Sequence, residues 1–219
     1  MPEAHVVTVT GPRAASALGV VDAHDHLLLD SPVMPGQAFT DVARSAVEAR
    51  EAVETGIGTL VEMTPIGLGR DPAGLRAISE ASGLAVVAAS GYHRDAHYPA
   101  SSWVHEATVE TLCDRIVTDL TVGMHPADWD DPALPLYAAR AGAIKGGASY
   151  HRITRSERKR LEAIGGASAA TGAAILVHTE IGTAAHDIVD LLESAGATTD
   201  RIALAHLDRN PDWELHAEV

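Results

Sequence analysis

The sequence predicts an α/β fold built on parallel strands, either a (β/α)8 barrel or a doubly wound sheet. Three observations predict it. Short, nearly continuous apolar runs alternate along the whole chain with stretches of helical periodicity. The apolar runs lack the in-and-out alternation of a half-exposed sheet, so both faces are covered, as they are when helices flank parallel strands. Finally, helical stretches carry their own boundary signals, such as Asp71-Pro72 at the start of one and Gly83 at its end.

Taken in order, GVVDAHDHLLL (19–29) reads as a strand and 40–56 as a helix that stops at Gly56. IGTLVEMT (57–64) is a strand, 71–83 a helix, and LAVVAAS (84–90) a strand. A helix follows over 105–123. The stretch 124–140, rich in Pro and Asp, reads as an excursion before the strand AGAIKGGAS (141–149). The helix 154–172, the strand AAILVHT (173–179), the helix 182–196 and the strand RIALAHL (201–207) continue the alternation, and 212–219 begins another helix. No GxGxxG stands at the first strand–helix turn, which speaks against a dinucleotide fold.

The chain has 219 residues and 46% hydrophobic content, enough for one large domain with a real core. Its net charge of −14 disfavours nucleic acid and anionic membrane surfaces as partners, and no basic stripe offsets it. No apolar run is long enough to span a membrane, and no secretory leader pattern opens the sequence. Cys113 is the single cysteine, so no internal disulfide framework exists, and a cytoplasmic location is expected. Two features stand out, namely 12 histidines and a near absence of lysine beyond Lys145 and Lys159.

Polar residues interrupt the apolar strands at informative places. His24 and His26 lie in the first strand, Lys145 in the fourth, His178 in the fifth and His206 in the sixth, each at or near the C-terminal end. In a (β/α)8 barrel that end builds the active site. His24 and His26 are two apart and therefore share a face of one strand, where two imidazoles can hold one metal ion. A lone histidine in a strand is more often a core residue bonded to a carbonyl; four at strand ends, two of them in HxH spacing, point to a metal site. Lys145 is flanked by small and apolar residues, and burying an unpaired ammonium is costly, so its amine tends to be neutral. A neutral amine reacts with CO2 to give a carbamate whose two oxygens can bridge two ions. The alternative is a lysine paired with a buried acid such as Glu62 or Glu180.

This pattern resembles the phosphotriesterase-like branch of the amidohydrolase superfamily. VEMTPIGLGRD (61–71), KGGASYHRIT (145–154), HTEIGT (178–183) and AHLDRNPD (205–212) extend the resemblance from about residue 18 to the C-terminus. It implies a (β/α)8 barrel of the metal-dependent hydrolase type. It further implies that His24 and His26 bind one metal and His178 and His206 a second. Carboxylated Lys145 and a hydroxide would bridge the two. Zinc is the default ion for such ligands; manganese, cobalt or iron also fit. The family's general-base Asp on the last strand has no counterpart here, and the chain ends inside the helix after its sixth strand. The sequence thus reads as one barrel domain over 1–219, truncated before strands 7 and 8. Its sheet would carry two open edges that a homodimer could cover.

The expected function is hydrolysis of an ester-type bond. The 4% aromatic content fits poorly with the aromatic pockets of triesterases, and the quoted stretches look more like the family's lactonases, including those acting on phosphorylated sugar lactones. Arg152 and Arg209 follow strand ends and could bind a phosphate. The loop GYHRDAHYP (91–99) adds Tyr92, Arg94 and Tyr98 as substrate contacts. Two alternatives stand beside this reading: a phosphotriesterase or aryl esterase on the same site, and a metal-binding chain without activity. Asp22 and Asp25, beside the paired histidines, are expected to orient the imidazoles or to line the loop.

Overall fold

The alternation of strands and helices is present, preceded by a hairpin that the sequence reading missed. A computed structural model describes residues 3–126 and 135–219. β1 (His5–Thr8) and β2 (Gly11–Ala14) pair antiparallel with His5 opposite Ala14. The turn uses Gly11 at φ 119°, a region that glycine enters without steric cost.

The chain divides into two compact units, residues 1–90 with 118–143 and residues 91–117 with 144–219. In the first, β3 (Val20–Asp25), β4 (Ile57–Glu62) and β5 (Ala85–Gly91) run parallel, with Asp25 opposite Glu62 and Glu62 opposite Ala88. α1 (Val42–Glu54) starts where the Asp41 carboxylate accepts the Arg44 amide. α2 (Pro72–Ser82) has the expected cap: Asp71 accepts two amides, Pro72 occupies the first turn, and Gly83 closes the helix left-handed. β5 is buried at every position, as a strand covered on both faces must be. β3 departs from that pattern, with Val20 65% and Val21 42% exposed. Among the described residues it pairs with β4 alone, so one side of the strand has no neighbour.

The helix expected over 105–123 is two helices, α3 (Trp103–Glu106) and α4 (Val109–Thr121). Ala107 is extended at ψ 147°, and the Thr108 hydroxyl accepts the Thr111 amide, which restarts the helix. Lys159 donates to the carbonyls of His105 and Ala107 and so closes the end of α3. The excursion expected over 124–140 lies partly outside the described residues; within them, Met124 and Tyr137 form an antiparallel bridge.

In the second unit, β6 (Ala143–Gly147), β7 (Ile175–His178) and β8 (Ile202–Ala205) are parallel, with Gly147 opposite His178 and His178 opposite Ala205. α5 (Arg155–Thr171), α6 (Ala185–Ser194) and α7 (Trp213–Glu218) follow the strands. Thr154 and Glu157 cap α5 reciprocally, each side chain accepting the other's backbone amide. The two registers bring the ends of β6, β7 and β8 level, which places Lys145, His178 and His206 at one end of this unit.

Candidate active site

The first unit carries the HxH pair. His24 lies within β3 and His26 just past its last residue, with ring centroids 5.6 Å apart in an edge-to-face arrangement. Behind His26 is a relay. The Thr64 hydroxyl donates to Glu62 at 2.6 Å, so it must accept from His26 Nδ1, 2.8 Å away. That assigns the proton to Nδ1 and the lone pair to Nε2. Glu62 is fully buried and also accepts the amides of Leu27 and Thr64. Burial pushes its carboxyl up to about 7, against hydrogen bonds that pull it down.

Asp22 accepts the backbone amide of His24 and Asp25 that of His26. Both carboxylates hold the strand end, and the hydroxyl bonded to the His26 ring belongs to Thr64, just past β4.

The second unit carries Lys145, His178 and His206. Lys145 is 1% exposed on β6, and its carbonyl accepts the Tyr92 amide at 2.9 Å. The His178 ring lies 4.6 Å from His206 and 4.7 Å from His93, centroid to centroid. Burial lowers the His178 imidazole to about 4, with the Lys145 charge acting the same way and the Glu180 bond opposing. Burial and then the Lys145 charge also lower His206, and burial takes His93 well below the usual histidine value, with the neighbouring cations adding to it. The imidazoles are therefore neutral at neutral pH, the form that can ligate a metal. Glu180 accepts His178 Nε2 at 2.7 Å and pairs with Arg94 Nε at 2.9 Å. His206 sits at φ 70°, a left-handed conformation that is strained for a residue with a Cβ.

A divalent metal fits these donors. The two imidazoles with assigned protons are His26 and His178, and in each the proton points to oxygen and a lone pair remains on the other nitrogen. Among the described residues no three His, Cys, Asp or Glu side chains converge on one point. Carboxylation of Lys145 would add an oxygen donor to these imidazoles.

The expected substrate residues fall in different settings. Arg152 and Arg209 are exposed, and the Arg209 charge reaches both His206 and Glu180. Arg94 is engaged with Glu180. Tyr92 is wholly buried and donates to the Leu112 carbonyl, while the Tyr98 hydroxyl accepts the His93 amide. Sequence reasoning did not give Glu62, Thr64, His93 or Glu180 a place beside the histidines. Glu62 is the last residue of β4, and Thr64 and His93 follow the ends of β4 and β5, so their position relative to the strands was the available signal.

A phospho-furanose lactonase of Mycoplasmopsis agalactiae is 36% identical over 221 residues, covering 98% of this chain and 63% of that relative. An N-acetyltaurine hydrolase of Danio rerio is 28% identical, over 94% of this chain and 57% of its own. The crystal structure of an amidohydrolase from Mycoplasma synoviae matches 100% of this chain and 64% of its own with a TM-score of 0.93 at 31% identity. The chain thus spans less than two thirds of the length of these relatives. The parallel βα units and these likenesses make the fold α/β of the TIM-barrel type. The sequence model of the phosphotriesterase family matches residues 4–218, and the chain belongs to that family.

Proposed function

We propose that this chain carries the metal-binding and substrate-binding residues of a binuclear hydrolase that opens lactones, specifically phosphorylated sugar lactones. The observation that carries the reading is Lys145, a buried lysine on β6, the strand paired with β7, which ends at His178. The name of the mycoplasmal phospho-furanose lactonase supports the substrate class.

In this proposal His24 and His26 would hold one divalent ion, and His178, His206 and carboxylated Lys145 would hold a second. When bound, such ions polarise the substrate carbonyl and acidify water at neutral pH. The chain's own residues do the rest. Thr64 and Glu62 fix the His26 ring, and Glu180 fixes His178. Arg152 and Arg209 meet the phosphate as charge-assisted donors.

The test is the Arg152→Ala variant. Its KM for a phosphorylated furanose lactone should rise about tenfold or more, the loss expected for a hydrogen bond to a charged group. Its KM for the unphosphorylated analogue should stay unchanged. An equal effect on both substrates would remove Arg152 from phosphate recognition.

A further inference from the structure

The loop 91–99 is held by a buried carboxylate that the proposed chemistry does not use. Glu157 is fully buried at the start of α5. It accepts four hydrogen bonds from three segments. The Asp95 amide reaches it at 2.9 Å from the loop after β5, and the Ser149 amide and hydroxyl reach it from the loop after β6. The Thr154 amide, at 2.9 Å, completes the helix cap. A carboxylate has about four acceptor positions, so this one is saturated. An ordinary helix cap needs one of these bonds, and the other three tie down two loops.

The tie is reinforced around Asp95. Its carboxylate accepts the Thr154 hydroxyl and pairs with the buried Arg160, whose guanidinium covers the Tyr98 ring at 5.2 Å. One residue earlier, the Arg94 amide donates to His93 Nδ1 at 2.8 Å. The Arg94 backbone is thus fixed on both sides. Its side chain then reaches Glu180, the same carboxylate oxygen that His178 Nε2 meets.

We propose that Glu157 is a positioning residue: it anchors the loop 91–99 so that Arg94 and Glu180 set the orientation and tautomer of His178. The inference rests on the reading of His178 as a metal ligand. It assigns Glu157 a part in the site although it contacts neither metal nor substrate. Arg94 is accordingly a holder of Glu180 before it is a substrate contact.

The test compares the full chain with Glu157→Gln, which preserves size and the Thr154 half of the cap but turns an acceptor into a donor. Nitrogen-15 NMR of the histidine rings, in metal-free protein, reads the tautomer of His178. The wild type should show a single Nε2–H form, and the variant a mixture. Amide exchange over 91–99 should quicken by about tenfold or more, as the loss of a charge-assisted bond implies, while exchange in α2 should not change. Cobalt binding, followed by its visible absorption, should weaken in parallel. An unchanged His178 tautomer with ordinary exchange in the loop would overturn the proposal and leave Glu157 a helix cap. If the wild type itself bound no cobalt, the metal reading would fail, and the tautomer and exchange data would still decide the role of Glu157. Should Glu157→Gln fail to fold, Asp95→Asn, which loosens the same loop from Arg160, replaces it under the same criteria.

Discussion

At the scale of single residues, the site depends on oxygen atoms placed behind nitrogen atoms. Thr64 and Glu62 settle the His26 ring, and Glu180 settles His178. A different buried cluster governs acid stability. Burial pushes the Asp119 carboxyl up, but the Arg70 guanidinium and the hydrogen bonds from His125 and Ser90 outweigh it and hold the group at about 2. A depressed carboxyl contributes stability that is complete above its ordinary value of 3.8 and lost as pH falls through about 2. The contribution is about 2 kcal/mol. Urea unfolding at pH 7 and pH 3 checks it. Asp119→Asn should be much less stable at pH 7, because the buried Arg70 loses the Asp119 carboxylate. It should also lose less of its remaining stability between the two pH values than the wild type loses. Equal losses would mean that Asp119 does not govern the acid limb.

At the scale of elements, strand ends and the turns that follow them set the geometry. Gly91 closes β5 at φ 118°, and a Cβ there would stand 2.2 Å from the Lys145 carbonyl oxygen. Gly91→Ala should therefore cost roughly 3 kcal/mol or more, since strain and backbone overlap act together. Thermal unfolding measures this, with Gly172→Ala as the comparison, because a Cβ at that left-handed glycine meets nothing within 4 Å. Comparable losses in the two variants would show that conformation alone matters at Gly91. The strands were legible in the sequence because their apolar runs are continuous, and His24, Lys145, His178 and His206 were legible because they interrupt those runs. The partners of the histidines were less so. Thr64 and Glu62 reach His26 through strand pairing, which a linear reading does not show. The helix over 154–172 was legible, but the loops that Glu157 holds are brought to it only by the fold. The break at Ala107 was hidden because Thr108 reads as polar helix surface until its hydroxyl is seen to cap.

At the scale of the whole molecule, family membership and the parallel βα order agree with the sequence reading, and the hairpin of β1 and β2 adds to it. The hairpin escaped notice because each arm is short and Pro12 weakens the strand signal. The exposure of Val20 and Val21 on β3 belongs to this scale too. A strand with an unpaired side presents backbone groups and apolar side chains together, the combination that promotes association. Val20→Lys should raise the concentration at which the chain begins to self-associate in light scattering. No change would mean that the β3 edge is not the sticky surface.

The proposed centre is four histidines and Lys145 holding two divalent ions. Its most direct test is the metal content per chain, by plasma mass spectrometry, of gel-filtered protein grown with zinc and bicarbonate. The expected result is close to two ions per chain, falling to one or fewer in Lys145→Ala. A wild-type value well under one, or a value unaffected by Lys145→Ala, would contradict it.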